Sequence, residues 1–243
     1  MPFFGQPYSG RKEFYMGKSM NKIRILFWCI LIAVSFCLGI AKGAGILQES
    51  TFRIILYLFF ILVVVSALAV YTLWARGFLK KVNAIQPLIK SDPDRYIKEI
   101  TELMDGIKSK QLISIKYINI CAACCAKKDY LSAQKALAKV YPSKLRGFNR
   151  AVYAADMAYV LFYLGENDKA ADVMETYRKQ FSQLSENRQI GGIISTLNIF
   201  EKTAEGKWNE AEALLETAKS KWLGSDTEDD LTYLETLIAE HTG

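Results

Sequence analysis

The sequence contains a single histidine, His241, and only Thr242 and Gly243 follow it. Serine- and cysteine-based catalysis uses a histidine as general base, oriented by a third group. A histidine at what we expect to be a loose chain end does not suit that role. The sequence also lacks a Walker-type glycine loop and a dinucleotide-binding fingerprint. We therefore expect a protein that is not an enzyme and that has no cofactor.

Carboxylates are the remaining candidates for acid–base chemistry. In the last 35 residues they fall at surface-type positions of amphipathic helical patterns, where a solvated helix face is the simpler interpretation. The residues in question are Glu210, Glu212, Glu216, Asp229 and Asp230.

The five cysteines have no spacing typical of an extracellular disulfide framework. Cys29 and Cys37 lie in an apolar run, whereas Cys121, Cys124 and Cys125 lie in one helical stretch. Cys121 and Cys124 share a helix face, but a structural metal site needs two further ligands. Small neighbouring alanines favour close helix packing instead, so we expect no metal site.

Charge is absent from two long stretches, 25–41 and 54–75. The second holds 22 residues, which reach roughly 33 Å as a helix and can cross a hydrocarbon core of ~30 Å. The first holds 17 residues, near the lower limit for a span. With its basic leader it also resembles a signal peptide, in which Gly39-Ile40-Ala41 would be the cleavage site. We favour a retained span, because another span follows at once and the two would form a helical hairpin.

The distribution of positive charge predicts the orientation of this hairpin. Residues 1–81 carry ten Lys/Arg against Glu13 and Glu49, a net charge of +8, and most of these cations flank the two runs from outside. Only Lys42 and Arg53 lie in the turn between them. By the positive-inside rule both termini are cytoplasmic, and the hairpin suits a bacterial plasma membrane. Residues 82–150 carry +7 and residues 151–243 carry −9, so the membrane-proximal half could also contact anionic lipid headgroups.

The remainder of the chain shows helical periodicity and no persistent strand-like alternation. Asp92 followed by Pro93 predicts a helix start, with the helix running to about residue 108. The other predicted helices form three pairs and one last helix: 113–127 with 130–141, 147–164 with 168–181, 187–205 with 208–222, and 227–240.

The turn inside each pair repeats. Lys128-Asp129-Tyr130-Leu131-Ser132-Ala133 aligns with Gly165-Glu166-Asn167-Asp168-Lys169-Ala170 and with Gly206-Lys207-Trp208-Asn209-Glu210-Ala211. These turns resemble those of the tetratricopeptide-repeat family, Gly-Asp-Tyr-x-x-Ala. Lys128 departs from the glycine position and Asn167 from the aromatic position. The resemblance covers roughly residues 113–222 and assigns structural roles at the turns to seven residues: Tyr130, Ala133, Gly165, Ala170, Gly206, Trp208 and Ala211.

The resemblance implies an all-α solenoid of about three helix pairs with flanking capping helices. In that family the first helix of each pair lines a concave groove. The matching positions here are apolar and aromatic: Ile115, Ile118, Ala122 and Cys125, then Val152, Tyr159, Phe162 and Tyr163, then Ile193, Thr196, Phe200 and Thr203. A partner helix could bind in this groove, or the flanking helices could fill it.

The sequence thus predicts four regions: a flexible basic segment 1–24, a transmembrane hairpin 25–75, a juxtamembrane linker 76–92 and a cytoplasmic helical domain 93–243. The expected function is a membrane-anchored scaffold or adaptor that binds a protein partner and no nucleic acid. Two alternatives stay open. The chain could be a subunit of a larger membrane complex held through its hairpin, or a carrier of a lipid or apolar ligand in the groove.

Overall fold

A computed structural model describes residues 16–45, 48–222 and 224–242 of the chain. Over these residues the backbone forms eleven α-helices and one short 3-10 turn, and no strand. The all-α prediction is therefore confirmed for the part of the chain described. By compactness the described residues divide into two units, one up to residue 82 and the other from residue 83 onward.

The first unit contains α1, Met16–Gly43, and most of α2, Glu49–Ile85. Residues 16–24, which were expected to be flexible, belong to α1, whereas residues 1–15 lie outside the described part of the chain. One stretch of the described helices is long and apolar enough to cross a membrane. It is Glu49–Val70, with a mean hydropathy of 2.7 and none of its length buried. The apolar part of α1, Phe27–Gly43, is shorter.

The turn between α1 and α2 is shorter than the twelve residues predicted. The helix α2 begins at Glu49, so Ser50 and Thr51 lie inside its first turn. Glu49 forms ion pairs with Lys42 and with Arg53, the latter at 3.1 Å. A carboxylate in the first turn favours a helix start there, and a cation four residues later supports it.

Over its described residues the second unit contains nine helices. The predicted linker 76–92 is largely helical, because α2 runs to Ile85 and a short helix follows. The helices are α3 Leu88–Ser91, α4 Pro93–Leu103, α5 Lys110–Ala126, α6 Tyr130–Leu137, α7 Gly147–Tyr163, α8 Asn167–Leu184, α9 Gly191–Ala204, α10 Trp208–Trp222 and α11 Glu228–Thr242, with a 3-10 turn at Pro142–Lys144 between α6 and α7.

Most predicted helix ends lie within a few residues of the observed ones. The carboxylate of Asp92 caps α4 by accepting the Arg95 N–H at 3.1 Å, as predicted. Three helices are shorter than predicted by about four residues or more. The helix α4 ends before Gly106, whose φ is +70°. The helix α6 ends four residues earlier, ahead of Pro142, and α9 begins only at Gly191.

The helices of the second unit pack as three pairs: α5 with α6, α7 with α8, and α9 with α10. The first helices of successive pairs also contact each other, α5 against α7 and α7 against α9. At the ends, α4 packs on α5, and α11 packs on α10 and α9. The core runs continuously through all three pairs and into α11.

The three turns within the pairs share one backbone geometry. Each has a residue with positive φ: Lys128 (+60°), Gly165 (+74°) and Gly206 (+71°). In each turn the N–H of this residue bonds to the carbonyl three residues back, and the next N–H bonds to the carbonyl five residues back. This is the Schellman pattern of helix termination. The alanines that follow, Ala133, Ala170 and Ala211, are completely buried, which permits the close crossing of the two helices.

Candidate functional site

The surface predicted as a groove lies largely inside the second unit. Ile118, Val152, Phe162, Ile193, Thr196, Phe200 and Thr203 are buried. Ile115, Ala122, Cys125, Tyr159 and Tyr163 are half-buried. The first helices of the three pairs bring these side chains together because α5, α7 and α9 are neighbours.

The last helix, α11, covers part of this surface. The carboxylate of Asp230 accepts hydrogen bonds from the phenols of Tyr159 (2.8 Å) and Tyr163 (2.6 Å), both through Oδ1. The ring of Tyr233, one helical turn further, lies 5.8 Å from that of Tyr163 and 6.3 Å from that of Phe200. The flanking helix therefore occupies a position that a partner helix would need.

An aromatic cluster joins four helices at this point. Tyr130 of α6 stacks on Tyr163 of α7, with ring centroids 4.4 Å apart and ring planes 8° apart. Tyr159 lies 4.8 Å from Tyr163, and Phe200 of α9 lies 5.1 Å from it. Such ring pairs add to the free energy gained by burial alone. Tyr163 is thus the centre of the contact between the helix pairs and α11.

Burial in the cluster raises the pKa values of two phenols and of the carboxylate that they contact. Burial is the main cause that raises the pKa values of Tyr159 and Tyr163, and the nearby charge of Asp230 raises them further. Burial also raises the pKa of Asp230, against the opposing effect of the two phenol hydrogen bonds. Both phenols therefore remain protonated donors at neutral pH. The expectation that Asp230 lies on a solvated face is wrong.

Sequence reasoning missed the role of Asp230 and Tyr233. Their spacing of three residues, with Leu237 four residues further, was a signal, because it places them on one face of a helix. The signal does not say what this face contacts. The partners Tyr159 and Tyr163 lie 71 and 67 residues earlier in the chain.

The turn residue Trp208 packs against the last helix. The half-buried Trp208 stacks on His241, with centroids 4.0 Å apart and planes at 13°. His241 was expected on a loose chain end, but α11 continues to Thr242 and holds its imidazole against the indole. Beside this stack lies an open cavity of about 470 Å³, lined by Gly206, Lys207, Trp208, Asn209, Glu210, His241 and Thr242.

Asp156 of α7 is a buried carboxylic acid, 4 % exposed, and its Oδ2 has no hydrogen-bond partner. Burial raises its pKa to about 8. The side chain is therefore mostly uncharged at neutral pH, as expected when an isolated acid lies in a low-dielectric interior.

The cysteines of α5 pack in the core. Cys121 is fully buried, and its Sγ lies 3.9 Å from that of Cys125. Burial raises the pKa of Cys124 to about 11, so little reactive thiolate is present at neutral pH. In the described part of the chain no group of three or more His, Cys, Asp and Glu side chains has a geometry that could hold a metal ion.

Comparison with protein-family models, with curated proteins and with solved structures gave no match for this chain.

Proposed function

We propose that this chain is a membrane-anchored, non-catalytic adaptor whose helical domain binds a protein partner. The observation that carries the proposal is helix α2. Its first 22 residues, Glu49–Val70, are long and on average apolar enough to cross a membrane, and none of this length is buried. The same helix continues to Ile85, and the unit of paired helices begins at residue 83. A helix of that composition suits a bilayer, and a compact helical unit tethered to it suits a recognition module.

In this proposal α1 and α2 form a two-span hairpin in a bacterial plasma membrane, with both termini in the cytoplasm. The cations that flank the apolar runs support this orientation. At 17 residues, Phe27–Gly43 is shorter than α2's span, so it would need basic flanking side chains to reach the interface or a locally thinned bilayer.

The helical domain is proposed to be a tetratricopeptide-like solenoid. Three successive pairs, three Schellman turns and a buried alanine at the same position of each pair support this interpretation. Solenoids of this kind commonly present interaction surfaces, which is an inference from fold and not from a site.

The position of α11 shapes how a partner would bind. A partner helix could reach Tyr159 and Tyr163 only by displacing Asp230 and Tyr233. We therefore place the partner either against the accessible part of Tyr233, which is 48 % exposed, or in exchange for α11.

The runner-up is a subunit of a larger membrane complex, held through the hairpin. The exposed apolar side chains along α2, such as Ile61 (57 % exposed) and Leu73 (67 %), favour it, because they would suit neighbouring spans as well as lipid.

Site-specific photo-crosslinking of the full chain in native membranes separates the two. A photoreactive residue at Tyr233 is compared with one at Ile61 on α2 and with a control at Lys179 on the exposed face of α8. The adaptor predicts a discrete protein adduct from Tyr233. If protein adducts formed from position 61 and not from position 233, the adaptor function would be overturned in favour of a subunit of a larger membrane complex.

A further inference from the structure

Positive charge is concentrated on α5, α6, the 3-10 turn and the start of α7. Between Gly106 and Ala155 the chain carries ten Lys/Arg and a single acidic residue, Asp129. That carboxylate is already engaged, because it accepts the backbone N–H of Ser132 at 3.0 Å and caps α6. The segment therefore contains no free carboxylate of its own to neutralise its cations.

Part of this charge gathers with two tyrosines in a basic-aromatic patch, defined by Lys110, Lys116, Tyr117, Lys139 and Tyr141. Lys139 Nζ and Lys116 Nζ lie 5.2 Å and 5.8 Å from the centre of the Tyr117 ring. Lys110 Nζ lies 5.2 Å from the centre of the Tyr141 ring.

The patch is held together by the fold. The backbone N–H of Tyr141 donates to Ser114 Oγ at 2.9 Å, which fixes the chain after α6 against α5. Tyr141 is 41 % exposed, and Lys144 and Arg146, just after it, are exposed too.

The cations of the patch have no carboxylate partner among the residues that the structure describes, whereas several cations elsewhere in the unit do. Lys127, which belongs to the same segment, is paired with Asp94 of α4 at 2.5 Å. In the acidic half, Lys202 pairs with Glu205 and Lys219 with Glu235, both at 2.7 Å. Like charges held together without counter-charges attract an external anion.

We infer that the basic-aromatic patch docks on anionic lipid headgroups of the membrane that α2 spans. The inference rests on the membrane anchoring proposed above and adds a second point of attachment at residues 110–146. Lysines attract an anionic leaflet within about one Debye length, ~8 Å at physiological salt. Tyrosine side chains are favoured at the membrane interface because the ring is apolar and the hydroxyl is polar.

The covalent link between α2 and the patch favours lipid over other polyanions as the ligand. Only about 40 residues separate Val70, the end of the apolar stretch of α2, from the first lysine of the patch. The leaflet is therefore always present at high effective concentration, whereas a nucleic acid has to be captured from solution.

The test uses the full chain in liposomes of phosphatidylcholine, with or without phosphatidylglycerol. Exposed amines are acetylated briefly and the modified lysines are quantified by mass spectrometry. We expect acetylation of Lys110, Lys116 and Lys139 to fall about threefold or more in phosphatidylglycerol, and to recover at high salt. Lys179 on α8 serves as the internal control and should react equally in both liposomes.

A charge-reversal pair provides the matched comparison. K116E/K139E should lose the protection that phosphatidylglycerol gives to Lys110, whereas K179E/R188E, with the same change in net charge, should retain it. Equal acetylation of the patch in both liposomes, with the chain resistant to alkaline extraction, would overturn the inference and leave the anchoring intact. Extraction of the chain by alkali would instead overturn the anchoring itself. Protection by added RNA in neutral liposomes, without protection by phosphatidylglycerol, would reassign the patch to nucleic acid.

Discussion

Tyr163 donates a hydrogen bond of 2.6 Å from its phenol to the carboxylate of Asp230, which lies 67 residues further along the chain. This bond and the parallel one from Tyr159 attach α11 to the second helix pair. They explain why the surface formed by the first helices of the pairs is not an open groove.

Removal of the Tyr163 phenol should loosen α11. Y163F keeps the ring stacked on Tyr130 but removes the donor, and a hydrogen bond to a charged group contributes about 1.5–3 kcal/mol. We expect the free energy of unfolding to fall by about 1–2 kcal/mol in urea titrations of the chain in detergent, followed by tryptophan fluorescence. Y159F/Y163F should lose more than the sum of the single changes, because either phenol alone still donates to Asp230 Oδ1, whereas the double change leaves that oxygen without a donor. The control is Y233F, which keeps the ring beside Tyr163 and removes a hydroxyl that has no hydrogen bond in the described part of the chain. Equal losses for Y163F and Y233F would contradict this account.

Lys128 provides a second test, because it has a φ of +60° where the other two turns have glycine. Left-handed backbone costs a residue with a Cβ roughly 1–2 kcal/mol. We expect K128G to stabilise the unit by about 1 kcal/mol and G165A or G206A to destabilise it by about the same amount. A Cβ at either glycine meets no atom within 4 Å, so the cost is conformational and not steric. If K128G destabilised the chain, the three turns would not be equivalent.

Gly191 is required for a different reason. A Cβ there would meet the carbonyl oxygen of Ser185 and would lie 2.7 Å from the indole of Trp222. Backbone cannot move aside as a side chain can, so G191A should cost about 3 kcal/mol or more, as overpacking in a core does. G192A is the matched comparison, since its Cβ would lie 3.2 Å from the hydroxyl of Thr227, which can adjust. Thermal unfolding that shows the same loss for both variants would refute the difference.

Asp156 should make stability depend on pH. Its pKa is about 8 in the folded chain, against an ordinary value of 3.8 for an aspartate in water. Between these values the folded state holds one more proton than the unfolded state, so stability falls as pH rises, by at most about 1.4 kcal/mol per pH unit. The fall is complete above pH 8.

D156N removes this dependence. We expect the variant to exceed the wild type by a few kcal/mol at pH 8.5, and by much less at pH 5. D172N, at an exposed position of α8, should change stability by less than about 0.5 kcal/mol at either pH. Parallel stability curves for D156N and the wild type would show that Asp156 is ionised in the folded state.

Local features of the fold follow from the sequence, and long-range ones do not. The helix Trp208–Trp222 was predicted residue for residue, because its boundaries depend on the turn at Gly206 and the glycine at 224. The start of α4 follows from Asp92 and Pro93 in the same way. The cover of the predicted groove by α11 depends on contacts between residues some 70 positions apart. Periodicity predicted the last helix, 227–240, but could not say which surface it meets.

The most direct test of the adaptor is a crosslinking pull-down from native membranes with two full-length chains. One has the native sequence, and in the other unrelated membrane spans replace residues 16–75. The account predicts that both chains capture the same protein partner, because recognition lies in residues 83–243 and the spans only anchor them. If only the chain with its native spans captured the partner, the adaptor function would be contradicted and the hairpin would be the binding element.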